Sequence, residues 1–139
     1  MRIPMIAALA LAGAALVTPA SAQQQQQPSQ VVISIYRGAP GQQVALLKWL
    51  ARQDEVARAA GVAPSQLYVH QDGASWDYLV VAPATTPQQD AAVEAAARKM
   101  GAAAGPMTGI ELRRYITEHN DTIAAGPTTA ADWLRRLGQ

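Results

Sequence analysis

The stretch VVISIYRGAPGQQVALLKWL, residues 31–50, decides the fold of this chain. Its first seven residues, 31–37, alternate in character and include several β-branched side chains, which is typical of a strand. Pro40-Gly41 then turns the chain into a helix, predicted over residues 42–60 because its leucines recur at helical spacing. Gly61 suits the position that follows a helix. The domain therefore opens with a strand, a tight turn and a helix.

The strand and helix signals repeat further along the chain. Residues 66–71 and 76–82 are predicted to be the two strands of a hairpin, because an Asp-Gly-Ala-Ser turn joins them at 72–75. The sequence Thr-Pro-Gln-Gln at 86–89 supplies a capping hydroxyl, a first-turn proline and a capping-box glutamine. A second helix is therefore predicted to run from there to about residue 100.

The last part of the domain is less regular. A fourth strand is predicted over residues 110–116, although a helix would fit the apolar spacing of Leu112, Tyr115, Ile116 and His119 equally well. Thr129 followed by Asp132 predicts a short terminal helix. The element order is then β-α-β-β-α-β with a helical tail. It predicts a ferredoxin-like α+β fold, with both main helices on one face of a four-stranded antiparallel sheet.

Side chains alternate across a strand, so parity divides the predicted sheet into two faces. One face holds all four tyrosines, one on each predicted strand, with a histidine and a tryptophan: Tyr36, Tyr68, Tyr78, Tyr115, His70 and Trp76. The other is mostly aliphatic: Ile33, Ile35, Leu67, Val69, Leu79, Val81, Ile110 and Leu112. We expect the aliphatic face to pack on the helices. The aromatic face would then need a cover, which is a second subunit, the tail helix, or both.

Residues 35–37, the Pro40-Gly41 turn and the leucine- and tryptophan-bearing helix that follows resemble the opening of the dimeric α+β barrel superfamily, which includes NIPSNAP-like proteins and antibiotic-biosynthesis monooxygenases. The resemblance covers most of residues 31–116 at the level of topology. It implies a homodimer in which two sheets pair face to face around a ligand cavity, on the side of the sheet that the helices leave bare.

The aromatic face supplies the candidate ligand-binding residues: Tyr36, Tyr68, Trp76, Tyr78, Arg113 and Tyr115. On the predicted fourth strand, the N–H groups of the Arg113 guanidinium would bind a carboxylate or an enolate-like oxygen. Pairing with Glu111 would instead leave Arg113 a structural role. A shift of the strand register by one residue would turn Arg114, instead of Arg113, toward the inside.

Two histidines and an aspartate are the candidate catalytic residues. His70 ends the second predicted strand, and His119 and Asp121 follow the fourth. A histidine can serve as acid or base near neutral pH, and a carboxylate beside it can set its tautomer. The alternatives are a hydrogen-bonded histidine lining a covered sheet and, for the second pair, ordinary turn and cap contacts.

One carboxylate lies on the apolar arc of the first predicted helix. Each residue of a helix is rotated by 100° about the helix axis, and on this count Asp54 falls at an angle between those of Leu47 and Leu50. Buried carboxylates are rare unless they are paired. Asp54 therefore either reaches a partner such as Arg58 or marks a cavity, and an ion pair or a position at the edge of the apolar face is the favoured interpretation.

The N-terminal residues predict export. Arg2, an apolar run over 6–17 and Ala20-Ser21-Ala22 form a signal peptide, residues 1–22, with cleavage after Ala22. The run is shorter than the roughly 20 residues of a membrane-spanning helix. Residues 23–30 are glutamine-rich and predicted to be a disordered leader. The single α+β domain is 31–139. We expect a periplasmic or secreted protein, not held in the membrane after cleavage.

Composition narrows the function classes. The chain has no cysteine and two histidines, which excludes thiolate chemistry and a three-histidine zinc site within one chain. No metal and no cofactor are therefore predicted, and a haem on His70 or His119 is a minor alternative. Removal of Arg2 from eleven basic side chains leaves ten, which equals the number of acidic ones. Without a basic stripe, nucleic acid is not an expected ligand.

These features predict an exported homodimer that binds a small apolar or aromatic molecule. One alternative is a cofactor-independent monooxygenase or isomerase acting on an aromatic or enol substrate. Another is a structural dimer without catalysis. The sequence names neither the ligand nor a reaction.

Overall fold

A computed structural model describes residues 29–73 and 75–139 of the chain. The predicted signal peptide, nearly all of the predicted leader, and Ala74 in the hairpin turn lie outside the described residues. The elements run in the order β1 Gln30–Gly38, α1 Gln43–Ala59, β2 Gln66–Val69, β3 Tyr78–Pro83, α2 Pro87–Lys99, α3 Pro106–Leu112, β4 Ile116–Ala125 and α4 Ala130–Arg136.

The four strands form one antiparallel sheet in the order β2-β3-β1-β4. The chain crosses from β1 through α1 to the edge strand β2, returns along β3, and reaches the other edge, β4, through α2 and α3. Because α1 and α2 pack together on one side of the sheet, this is the ferredoxin-like α+β fold that the element order predicts.

Local signals place the helix ends where the sequence predicts them. The Pro40-Gly41 turn precedes α1, and Gly41 has a φ of +77°, a conformation that favours glycine. In α2 the capping box is complete, since Gln89 N–H donates to the Thr86 hydroxyl at 3.3 Å and Thr86 N–H donates to the Gln89 side chain at 2.9 Å. In α4 the Thr129 hydroxyl accepts from the N–H of Asp132 at 3.1 Å and so caps the helix.

The predicted strand over 110–116 is wrong. Gly105, with a φ of +57°, and Pro106 start helix α3, which carries Leu112 into the core at 6% exposure. The helical alternative from Leu112 to His119 is wrong as well, because α3 ends at Leu112 and both Ile116 and His119 lie on a strand. Strand β4 begins only at Ile116 and pairs with β1 along the whole of Gln30–Gly38. Pairing with that central strand decides the conformation of a segment whose own β-propensity is modest.

The expectation that the aliphatic face packs on the helices is also wrong. Tyr36 pairs directly with Tyr78 across β1 and β3, and both rings point toward the helices, 7% and 6% exposed. They enclose the fully buried Leu46 of α1. We call this the inner face of the sheet. Tyrosine suits it because the ring packs as an apolar body while the hydroxyl finds a partner, as Tyr78 does by donating to Gln43 O at 3.2 Å.

The four tyrosines therefore do not share a face. Tyr68 pairs with Leu79, which places it on the opposite side of the sheet at 53% exposure. Tyr115 lies between α3 and β4 and not in a strand, with its ring against the core. The side that the helices leave bare is aliphatic. We call it the outer face, and its apolar residues are Val31, Ile33, Ile35, Tyr68, Leu79 and Val81.

Candidate functional site

An open cavity of about 330 Å³ lies between the inner face of the sheet and helices α1 and α2. Strands β1 and β3 form its floor through alternate residues that point toward the helices, such as Val32 and Val80. Helix α1 supplies one wall through Trp49, Leu50 and Gln53, which recur at helical spacing. The cavity therefore belongs to a single subunit and lies on the helix side of the sheet.

The aromatic walls of the cavity are held in place by their polar ends. The indole N–H of Trp49 donates to Glu111 Oε2 at 3.1 Å, which ties α1 to α3. The Tyr36 ring stacks on His119, with centroids 4.6 Å apart and planes 13° from parallel. Burial raises the pKa of the Tyr36 phenol above its ordinary value of 10.0, a side-chain hydrogen bond with Ser34 opposes that rise, and the charge of Asp121 adds to it. The phenol is therefore neutral at pH 7.

Several polar groups reach this otherwise apolar space. The buried Ser34 donates to Asp121 Oδ1 at 2.5 Å. The side-chain nitrogen of Gln53 is shielded from solvent and has no hydrogen-bond partner in the described part of the chain. A donor left in this state costs about 1–3 kcal/mol. Its position on the cavity wall offers that hydrogen bond to a guest.

Asp54 marks the cavity instead of forming the expected ion pair. Its Oδ1 accepts from both the backbone N–H and the hydroxyl of Ser65, at 3.1 and 2.7 Å. Arg58 lies one turn further along α1, but its Nε donates to the backbone carbonyl of Asp54 and not to the carboxylate. The carboxylate therefore holds the loop before β2 against α1 and also lines the cavity.

His119 and Asp121, two of the predicted catalytic residues, do lie together. They are two residues apart on β4, point to the inner face, and bring Nε2 to 2.9 Å from Oδ1. Because the two side chains project in parallel from one strand, this close contact does not have the geometry of a hydrogen bond. With Ser34 and Tyr36 these residues form a polar cluster where β1 meets β4.

His70 lies far from that cluster. It follows the edge strand β2, while His119 lies on the opposite edge strand β4. The His70 ring contacts Trp76, with centroids 4.9 Å apart. Its Nε2 is buried without a partner among the described residues. The structure therefore does not bring the two predicted catalytic histidines into one site, and their catalytic roles stay predictions.

The other predicted ligand-binding residues are scattered. Of that group only Tyr36 lines the cavity, whereas Tyr78 packs in the core and Tyr68 lies on the outer face. Arg113 is exposed at the end of α3 and shares an open depression of about 410 Å³ with His119. Arg114 is exposed as well, so neither arginine turns into the sheet. Arg113 therefore does not line the cavity, and its role in holding a carboxylate or an enolate-like oxygen stays a prediction.

Three residues that line the cavity, Ser34, Trp49 and Gln53, were not among the predicted site residues. Ser34 is a polar residue within an aliphatic strand and has the parity of Tyr36, which is the signal that would have drawn attention to it. Trp49 and Gln53 are four residues apart on α1, so they share one side of that helix. Both lie at the edge of the apolar arc of that helix, a position from which a side chain can line a cavity beside the core.

Within residues 29–73 and 75–139, no three histidine or acidic side chains are grouped closely enough to hold a metal ion. None of the helices in that described part is long and apolar enough to cross a membrane.

No family model and no curated protein matches the chain. Solved structures with a similar fold include Rv0793 from Mycobacterium tuberculosis, with 18% identity and a TM-score of 0.48 over 73% of this chain and 97% of that one. A dimeric ferredoxin-like protein from an uncultured marine organism is 9% identical, with a TM-score of 0.46 over 75% and 91%. An uncharacterised NIPSNAP domain protein from Burkholderia xenovorans is 12% identical, with a TM-score of 0.44 over 73% and 97%.

Proposed function

We propose that the protein binds a small molecule in the cavity between the inner face of its sheet and helices α1 and α2. The observation that carries this proposal is the buried, unpartnered side-chain nitrogen of Gln53 on the cavity wall. Native proteins satisfy almost all buried donors. A guest that accepts this hydrogen bond would remove the cost of leaving that buried donor without a partner.

The size of the cavity suits a small ring compound. An apolar cavity of about 150 Å³ takes up benzene in another protein, so about 330 Å³ has room for roughly two rings. Ligand sites begin at about 300 Å³ and are mostly apolar with a few placed polar groups. This cavity has both features, with Val32, Leu50, Val80 and Val93 beside Ser34 and Gln53.

The fluorescence of Trp49 should report a guest directly. In a variant carrying Trp76→Phe and Trp133→Phe, Trp49 is the only indole left, and its ring lines the cavity. We expect benzyl alcohol to change its emission with a saturable dependence on concentration. The matched control carries Trp49→Phe and Trp76→Phe and keeps Trp133, 42% exposed on α4. A saturable change in the control, or none in the Trp49 variant, would contradict the proposal.

We also propose that the protein is a homodimer formed through the outer face. The support is physical: the outer face presents a continuous apolar surface across β1, β2 and β3, with Ile35 at 38% and Tyr68 at 53% exposure. Soluble monomers seldom leave such a patch uncovered. The ligand cavity then lies on the other side of the sheet from the subunit contact, unlike the arrangement that the sequence resemblance implies.

Export to the periplasm or the medium remains a proposal that rests on the signal-peptide pattern of residues 1–22. The alternative of a cofactor-independent monooxygenase or isomerase, with His119 and Asp121 moving a proton, also stays a prediction. The purely structural dimer is the outcome if the cavity takes up no guest.

A further inference from the structure

Three hydroxyl groups on the cavity wall each donate their hydrogen to a carboxylate. A hydroxyl has a single hydrogen and two lone pairs, so each of these groups can offer a guest only an acceptor. The pairs are Ser34 Oγ to Asp121 Oδ1 at 2.5 Å, Ser65 Oγ to Asp54 Oδ1 at 2.7 Å and Thr85 Oγ1 to Asp90 Oδ1 at 2.5 Å. The wall is therefore rich in acceptors.

The wall is also negatively charged. Asp54 and Asp90 line the cavity, and no basic side chain is among its lining residues in the described part of the chain. Both protein hydrogen bonds to the Asp54 carboxylate go to Oδ1, and no described residue donates to its Oδ2. Asp54 as a whole is half-buried, and a carboxylate oxygen without a protein partner is a site for a charged donor.

The cavity wall has few hydrogen-bond donors that could bind an anionic or acceptor-rich ligand. The Trp49 indole N–H is engaged by Glu111. The Gln53 amide and the Tyr36 phenol are the donors left over. A neutral hydrogen bond contributes about 0.5–1.5 kcal/mol, and one to a charged group about 1.5–3 kcal/mol. The carboxylates should therefore decide which ligands enter.

We propose that the cavity selects a small organic cation, an apolar or aromatic ring that bears a primary ammonium group. The ammonium donates to Asp54 Oδ2, and the ring lies among Trp49, Leu50 and Val93. An oxygen on the ligand, where it has one, accepts from Gln53. This inference rests on the proposed function of the cavity and names its ligand class.

Three probes of one size but different charge test the inference: benzylamine, benzyl alcohol and benzoate, titrated at pH 7 into the full folded chain by calorimetry. We expect benzylamine to bind at least about tenfold more tightly than benzyl alcohol, and benzoate not to bind detectably. Equal affinities, or preference for benzyl alcohol or benzoate, would overturn the cationic ligand class and leave the cavity itself standing. Failure of all three to bind would overturn the cavity as well.

A matched pair of variants locates the selecting charge. Asp54→Asn keeps an oxygen for Ser65 but removes the negative charge, so benzylamine affinity should fall about tenfold and the advantage of benzylamine over benzyl alcohol should be lost. Glu55→Gln makes the same charge change on the next residue, where the side chain is exposed and paired with Arg52 outside the cavity, and it should alter neither. An unchanged benzylamine affinity in Asp54→Asn, or an equal loss in both variants, would refute the role of Asp54.

Discussion

The variant Ile35→Lys should be a monomer at concentrations at which the wild-type protein is a dimer. Ile35 lies on the central strand β1, with Leu79 and Asn120 beside it on the outer face. An ammonium group enclosed in a dry interface costs several kcal/mol, and a twofold interface contains it twice. The dissociation constant of the dimer should therefore rise at least about 100-fold, which sedimentation velocity over a dilution series would measure.

The matched control for this variant is Val44→Lys. Val44 is 64% exposed on α1, so the same charge enters at a site that faces solvent on the helix side of the sheet. This control should keep the wild-type dissociation constant. A dimer that survives Ile35→Lys, or one that is lost in both variants, would show that the outer face is not the subunit contact.

The variant Leu46→Ala should cause the largest loss of folding free energy. Leu46 is fully buried and packs with Tyr36, Tyr78, Val80 and Leu112, which come from both sides of the core. Truncation of such a leucine costs about 2–5 kcal/mol. For a domain of this size we expect the melting temperature to fall by about 10–25 °C. Calorimetry should measure it at one protein concentration, because the proposed dimerisation would also shift it.

Val44→Ala is the reference for that loss. It removes methyl groups from the same helix where the side chain is exposed, so the free energy of unfolding should change by no more than about 0.5 kcal/mol. A melting temperature for Leu46→Ala within a few degrees of the Val44→Ala value would mean that the centre of the core is not at Leu46.

Alternation along the strands separated the two faces of β1 and β3 correctly but could not say which face meets the helices. Ile33 and Ile35 satisfy the requirement for an apolar contact as well against a second subunit as against a helix. Tyr36 and Tyr78 pack as apolar rings with satisfied hydroxyls. The assignment of Tyr68 failed for a separate reason, since the register between β2 and β3 sets its side.

Local signals were sufficient wherever a cap or turn residue determined the backbone. The Pro40-Gly41 turn and the capping box at Thr86 gave α1 and α2 within one or two residues. The segment after Gly105 has no such decisive signal, because its apolar spacing is compatible with both a strand and a helix. Strand β4 is stabilised by its pairing with β1, a contact between distant parts of the chain that no local pattern contains.

The candidate site was predicted only in part. Proximity along the chain was enough to bring His119 and Asp121 together, and the misfit of Asp54 on an apolar arc correctly pointed to a cavity as one of two interpretations. The contribution of Ser34 and Gln53 depends on how α1 packs over β1. That packing follows from tertiary contacts, which a pattern along one element does not specify.

The most direct test of the cavity is a nuclear magnetic resonance titration of the isotope-labelled protein with benzyl alcohol, a neutral probe that does not depend on the cationic ligand class. We expect shifts concentrated at the indole N–H of Trp49, the side-chain amide of Gln53 and the backbone N–H of Ser34. Shifts concentrated instead at Ile35, Tyr68 and Leu79 on the outer face, or no saturable shifts, would contradict a binding site between the sheet and its helices.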